Sequence, residues 1–259
     1  MHTDHQIAAY GIMNLYFLSS PSHNVLQNDW FLPSIQDDFS LVQQDVIQLC
    51  PDGTYRSPGF REMMAQKVDL IIRAIHDNPK EVFLYSDVDV QLFRSIQEDV
   101  DILMTGRDLL LLRDSPRGVI CPGFLAGRGT DNMLRLWSEI RESLCGEGKK
   151  DDQDYLNEHL LGQPTITSLV GSRFLYRLSG RYWPVRYRKS SEGFGVRWDY
   201  LPPRYYCFGA KAWRKWGPGD SLNIPRDIAV HHANWVYGID GKIQQLRAVK
   251  NEVRRLDAI

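Results

Sequence analysis

One uninterrupted apolar run is the feature that most constrains the fold. Residues 81–85 read Glu-Val-Phe-Leu-Tyr, and a run without polar alternation is typical of a strand buried on both faces of a parallel or mixed sheet. A similar run at 14–18 ends in polar Ser19 and Ser20. Between them, apolar residues recur at helical spacing over 60–75, which predicts a helix. Strands that alternate with helices favour a single α/β domain.

The same alternation continues along the chain. Thr130 is a candidate N-cap of a helix, either Asp151 or Asp152 is a candidate cap of the next, and helical spacing recurs over 242–256. Short apolar runs predict further strands at 102–104, 109–112, 119–126 and 228–232.

Composition excludes several classes of protein. The 259 residues are 43% hydrophobic and 24% charged, which is typical of a globular chain. Since 31 basic residues balance 32 acidic ones, no overall field attracts a polyanion, and we expect no nucleic-acid partner. Four cysteines without a C-x-x-C pair indicate a reducing compartment. No targeting or membrane-spanning segment is evident, so we expect a cytoplasmic protein.

Two aspartates follow the run at 81–85. Side chains at i and i+2 of an extended segment point the same way, so Asp87 and Asp89 are expected to converge. Paired carboxylates suit a hard divalent cation, which can neutralise a diphosphate. His231 and His232 end another predicted strand and face opposite sides, so at most one reaches this site. The alternatives are solvated acids and an ordinary core histidine.

Polar residues also cluster at the start of the predicted helix after 150. As first-turn residues they would cap free amides and complement the helix dipole. As a cluster of carboxylates and amides they would hydrogen-bond a polyhydroxylated ligand. Both interpretations stay open for Asp151, Asp152, Gln153, Asp154 and Asn157.

In their order and spacing, these motifs resemble the nucleotide-diphospho-sugar transferases, which are glycosyltransferases of the GT-A fold. The resemblance spans about residues 14–246. It implies an α/β fold of GT-A type, with a Rossmann-like mixed central sheet flanked by helices. One glycosyltransferase domain would cover 1–259, with a nucleotide-sugar half at about 10–130 and an acceptor-side half at 131–259. The motifs are Asp87-x-Asp89, the strand with Gly123, Asp152-Gln153-Asp154-x-x-Asn157, and His232-x-Asn234 followed by Gly238 and Lys242.

The resemblance also implies residue roles. Asp87, Asp89 and His232 would hold Mn²⁺ (or Mg²⁺), and Asp152 and Gln153 would be the catalytic residues beside the sugar and the acceptor. Contacts to the nucleotide-sugar would come from Ser19, Ser20, Lys67, Asp87 and Lys242. In one departure, Cys121-Pro122-Gly123 stands where many relatives carry Asn-x-Gly, which leaves the donor sugar open.

The implied activity is metal-dependent transfer of a hexose or pentose from a nucleotide-diphosphate sugar, expected to be a UDP-sugar, to a glycan or other hydroxyl acceptor, with retention of configuration. One alternative is a haloacid-dehalogenase-like phosphatase with Asp87 as the phosphoryl acceptor. That superfamily usually opens with this strand, whereas residues 1–80 precede it here. The other alternative is a non-catalytic module that binds glycans or anions.

A basic, aromatic segment lies at residues 173–216. It holds 11 Arg and Lys against two acids, and 13 of the 29 aromatic residues. Aromatic faces stack on sugars and guanidinium groups pair with anions, so Trp183, Arg186 and Arg188 are predicted to bind the acceptor glycan, including one with negative charge. A solvated basic face and a peripheral contact with anionic lipid are the alternatives.

Overall fold

The computed structural model describes residues 11–50, 57–162, 193–212 and 214–258. Short helical turns fill residues 21–34 and 208–210. The strands are β1 (Asn14–Ser19), β2 (Ser40–Asp45), β3 (Val82–Ser86), β4 (Val90–Leu92), β5 (Leu109–Arg113), β6 (Ile120–Arg128), β7 (Trp198–Tyr200), β8 (Tyr205–Cys207) and β9 (Val230–His232). The longer helices are α1 (Phe60–Asp77), α2 (Gln97–Leu103), α3 (Asp131–Cys145), α4 (Asp152–Leu161) and α5 (Gly238–Asp257).

Six strands form the central sheet, in the order β2-β1-β3-β6-β5-β7. β6 runs antiparallel to both of its neighbours, and the other pairs are parallel. Alternate residues of β1 face opposite layers: Tyr16 packs with α1, α3 and α4, whereas Leu15 and Phe17 pack with α2, α5 and the small sheet. The predicted mixed central sheet flanked by helices is therefore confirmed.

A smaller sheet, β4-β9-β8, brings the end of the chain to the end of β3. β4 and β9 are antiparallel and pair Val90 with His232. The Ala233 amide extends this ladder by donating to the Asp89 carbonyl at 2.9 Å. This pairing holds His232 beside Asp89, although the two residues are far apart in sequence.

The structure corrects one predicted strand. Residues 102–104 end helix α2 and its C-terminal turn, because Ile96, Val100 and Met104 are buried at intervals of four residues whereas Ile102 is 61% exposed. The predicted helix caps are confirmed: Thr130 accepts a hydrogen bond from the Met133 amide. None of the helices in the described parts of the chain is both long and apolar enough to span a membrane.

Candidate functional site

The site begins where β3 ends. The chain leaves the sheet at Ser86 and forms a turn at residues 88–89 before β4. The Asp87 amide donates to the Gly123 carbonyl of the neighbouring strand at 2.8 Å, which fixes the start of this connection. The sequence analysis expected Asp87 and Asp89 to lie in an extended segment, but the structure shows a turn there. Its carboxylates converge because of the turn and because β4 pairs with β9.

Asp87, Asp89 and His232 each offer one ligand atom, and all three atoms lie within 4.8 Å of one another. Divalent cations bind oxygen ligands at roughly 2.0–2.6 Å, so donors on opposite sides of one ion are about 4–5 Å apart. Two carboxylates and an imidazole also match the ligands that a transition ion such as Mn²⁺ accepts. The three residues fit a single divalent cation.

Two lysines form ion pairs with the aspartates of the site. Lys242, in the first turns of α5, places Nζ 2.8 Å from Asp89 Oδ2. Lys67 of α1 is buried and lies 3.3 Å from carboxylate oxygens of both Asp87 and Asp152. Burial alone would lower the pKa of Lys67, but Asp152 and Asp87 outweigh it and raise the pKa, so this lysine is charged.

Asp89 is also held in its charged form. Burial would raise the pKa of its carboxyl, yet the Lys242 ammonium and the His232 ring keep that pKa well below its usual range. Asp87 is held by other partners, because the Tyr85 hydroxyl donates to its Oδ1 at 2.7 Å. Both carboxylates are thus fixed by neighbours on separate strands and helices.

The His232 ring is confined on each side. Its Nε2 lies 3.3 Å from Asp89 Oδ1, and its Nδ1 lies 3.6 Å from the Cys121 sulfur. Burial raises the pKa of the Cys121 thiol well above its ordinary value, so this neighbour is neutral. At Gly123, an added Cβ would stand 2.4 Å from the ring, so only glycine leaves room for it.

His231 has a different environment from His232. It is fully buried, with Nδ1 3.3 Å from the Tyr206 carbonyl, and its ring packs against Tyr206. Burial, followed by the charge of His232, lowers the pKa of His231 to about 3, so it is a neutral core residue. As predicted, one of the two histidines reaches the carboxylates.

The loop after β1 adjoins this centre. Ser19 and Ser20 are buried, and Ser20 Oγ lies 3.2 Å from His23 Nδ1. Burial and then the charge of Lys242 lower the pKa of His23, and they outweigh the Asp89 and Asp87 carboxylates, which would raise it. His23 is a residue near the site that the sequence analysis missed.

The structure shows which acid caps the start of α4. Asp151 is the cap: it accepts from the Asp154 amide at 2.9 Å, and Asp154 bonds back to the Asp151 amide. Asp152 is buried and pairs with Lys67. Burial raises the pKa of Asp152 against the opposing effect of Lys67, and Asp87 raises it further.

Gln153 contacts a carboxylate that the sequence analysis did not single out. Its Nε2 donates to Asp114 Oδ2 at 3.1 Å. Asp114 directly follows β5, just as Asp87 follows β3, and this shared position after an apolar run is the signal that could have found it. The predicted acceptor residues Trp183, Arg186 and Arg188 lie outside the described residues.

Several glycosyltransferases are among the solved structures that match this chain. A glycosyltransferase involved in the glycosylation of the major capsid of PBCV-1 is 12% identical, with 92% of this chain and 98% of that chain covered and a TM-score of 0.49. Mouse xyloside xylosyltransferase 1 is 11% identical, with 86% and 98% covered and a TM-score of 0.46. Galactosyltransferase LgtC, solved with donor and acceptor sugar analogs, is 13% identical, with 85% and 86% covered and a TM-score of 0.44.

None of these similarities is close enough to transfer a substrate to this chain. No curated protein sequence matches it significantly. The profile of the family described as nucleotide-diphospho-sugar transferase, however, matches residues 48–246, well over half of the 259 residues. The match includes Asp87, Asp89 and His232. The chain therefore belongs to the nucleotide-diphospho-sugar transferases, the glycosyltransferase family that its sequence motifs resemble.

Proposed function

We propose that this glycosyltransferase transfers a hexose or pentose from a UDP-sugar to a glycan acceptor, with retention of configuration and with a divalent cation, Mn²⁺ or Mg²⁺, at Asp87, Asp89 and His232. The observation that carries the proposal is the convergence of these three ligand atoms within 4.8 Å at the end of β3. A nucleotide-sugar donor follows from membership of the family.

The charges of the site suit a metal-bound diphosphate. Asp87, Asp89 and Asp152 are opposed by Lys67 and Lys242, which leaves room for added positive charge beside the carboxylates. When bound, the cation would neutralise the negative charge of the departing diphosphate. Lys242 would move its ammonium from Asp89 toward a phosphate oxygen, which stabilises the leaving group electrostatically. Lys67, which the resemblance implied as a contact of the nucleotide-sugar, is buried beside Asp87 and Asp152 and would instead hold those two carboxylates in place.

Asp152 is the residue that best suits the donor sugar. It is buried at the start of α4, beside Gln153, and Lys67 lies 3.3 Å from its Oδ2. A carboxylate oxygen carries more than one lone pair, so Oδ2 could accept a hydrogen bond from a sugar hydroxyl and keep its ion pair with Lys67. Ser19 and Ser20 remain our proposed nucleoside contacts, at the end of β1.

Retention is proposed from the resemblance of the sequence motifs, and the chemistry of Gln153 bears on how retention would be achieved. A carboxamide is neither a general base nor a good nucleophile, so a double displacement through Gln153 is unfavourable. The acceptor hydroxyl would attack the anomeric carbon on the face that the diphosphate leaves. The new carbon–oxygen bond forms as the carbon–phosphate-oxygen bond breaks, and the hydroxyl proton passes to a phosphate oxygen of the donor.

The two alternative functions fit less well. The phosphatase alternative does not account for the match to the nucleotide-diphospho-sugar transferases over residues 48–246. A non-catalytic binding module gives no reason for three aspartates and two lysines to pair in one largely buried cluster. The acceptor is proposed to be a glycan, with Trp183, Arg186 and Arg188 as candidate contacts.

The proposal is tested by measuring UDP release from a panel of UDP-sugars with Mn²⁺ and with a chelator. We expect metal-dependent release with at least one sugar, and loss of that release in Asp89→Asn. The matched control is Asp257→Asn, which removes an exposed carboxylate at the end of α5 and should behave like wild type. Full activity in chelator, or an Asp89→Asn variant as active as the control, would overturn the proposal.

A further inference from the structure

Asp114 joins three separate segments of the protein. It directly follows β5, its side chain is buried, and its amide donates to the Val119 carbonyl at 2.7 Å. Its Oδ2 accepts from Gln153 of α4 at 3.1 Å. Its Oδ1 accepts from the Asn234 amide group and from the Trp235 indole, the latter at 3.1 Å, in the loop after β9. Three side-chain donors thus meet on one carboxylate.

An ionised carboxylate only accepts hydrogen bonds, so it dictates which end of a carboxamide faces it. The nitrogen of Gln153 must point to Asp114, and its oxygen Oε1 therefore points away. No group in the described ranges donates to that oxygen. Asn234 is fixed in the same way, and its oxygen lies 3.5 Å from the Gly209 amide.

We propose that Asp114 is a positioning residue that orients the Gln153 carboxamide so that Oε1 accepts a hydrogen bond from the acceptor glycan. This inference rests on the proposed function. The bonded hydroxyl is not the attacking one, whose proton goes to the donor phosphate. Gln153 then holds the acceptor in register and takes no part in proton transfer.

The energetics of Asp114 favour a role beyond packing. Burial raises the pKa of the Asp114 carboxyl to about 6. The hydrogen bonds from Gln153, Trp235 and Asn234 and the charge of His232 lower this pKa, but burial outweighs them. The charged form is thus held in an unfavourable environment near neutral pH. A neutral acceptor such as the amide oxygen of asparagine could also pair with Asn234 and Trp235, whereas only an acceptor on the Gln153 side fixes the polarity of the Gln153 amide.

The test uses Asp114→Asn, which preserves shape. The asparagine oxygen can still accept from Asn234 and Trp235, while its nitrogen now faces Gln153 and favours the reversed amide. We expect a rise in the KM for the acceptor glycan, since the glycan hydroxyl that donates to Oε1 in wild type would face the NH₂ group of Gln153. Leaving such a hydrogen bond unmade corresponds to about a 10–100-fold loss in transfer efficiency. In the double variant Asp114→Asn/Gln153→Glu, residue 153 again presents an oxygen to the acceptor glycan. This variant should therefore recover acceptor affinity.

A structural readout separates this inference from the proposed function. In ¹⁵N-labelled protein, the side-chain NH₂ of Gln153 should be protected from exchange in wild type and exchange faster in Asp114→Asn. This measurement needs no substrate, so it decides the orientation even if no sugar is transferred. Unchanged exchange would overturn the proposal. The proposal would also be overturned if the loss of transfer activity in Asp114→Asn were fully explained by a loss of folded protein in melting curves. It would likewise be overturned if the double variant did not restore the acceptor KM.

Discussion

Replacing Gly123 by alanine tests the geometry of the proposed metal site. The new Cβ would lie 2.4 Å from Cε1, 2.8 Å from Nε2 and 2.9 Å from Nδ1 of His232. Carbon atoms normally touch at roughly 3.5–4.0 Å, so the approach is about 1 Å too close. The ring cannot swing away freely, because it is buried between Asp89 and Cys121.

The clash should affect stability and metal binding to different degrees. Overpacking a filled interior costs about 1–3 kcal/mol of unfolding free energy. Metal ligands must stand within about 0.2 Å of their proper distances, so a ring displaced by about 1 Å no longer coordinates well. We expect Mn²⁺ affinity, measured by calorimetric titration in the presence of UDP, to fall by about 10–100-fold, as when a metal ligand loses its supporting partner.

Gly127→Ala is the matched control, because it lies on the same strand, β6. Its Cβ would stand 2.7 Å from Cζ of Phe83, a buried ring outside the site. The control should lose a similar amount of stability and keep its Mn²⁺ affinity. The reasoning is refuted if Gly123→Ala binds Mn²⁺ like wild type, or if both variants lose affinity equally.

The remaining predictions concern charge and capping. Lys67→Met leaves the buried Asp152 uncompensated and should cost about 3–5 kcal/mol in urea unfolding at pH 7, and less in acid, where Asp152 is protonated; equal losses at both pH values would contradict this. Asp151→Ala removes the α4 cap and should cost about 1 kcal/mol while turnover per folded molecule is kept. The Asp114 carboxyl has a pKa of about 6 in the native protein against 3.8 as its ordinary value, so the native state binds its proton first as pH falls. Relative to Asp114→Asn, wild type should therefore gain about 2 kcal/mol between pH 7 and pH 4, and a pH-independent difference would be inconsistent with this shift.

Much of the fold could be predicted from local patterns. The runs at 14–18, 81–85 and 109–112 are strands, and the helical spacing over 60–75 is helix α1. The error at 102–104 arose because a three-residue apolar run does not distinguish a strand from the end of a buried helix. The decisive signal there was the spacing of Ile96, Val100 and Met104, which the short run obscured.

The site could be predicted only where its residues form compact motifs. Asp87 and Asp89 follow one apolar run, and His232 belongs to a recognisable segment. Asp114 also follows an apolar run, but its partners Gln153 and Asn234 lie 39 and 120 residues away in sequence, so the run alone does not show what Asp114 contacts. Such a contact depends on the pairing of strands in two sheets. The orientation of the Gln153 amide follows from that contact, so it could not be predicted from the residues near Gln153 in sequence.

The central claim is that Asp87, Asp89 and His232 hold a divalent cation against the diphosphate of the donor. Pulsed electron paramagnetic resonance of the protein with Mn²⁺ and UDP tests it most directly, since nuclei bound to the ion couple to its electron spin. We predict a ¹⁴N coupling from one histidine and ³¹P couplings from the diphosphate, with the ¹⁴N coupling lost in His232→Gln and kept in His231→Gln. A Mn²⁺–UDP complex whose ¹⁴N coupling is missing from wild type, or persists in His232→Gln, would contradict the claim.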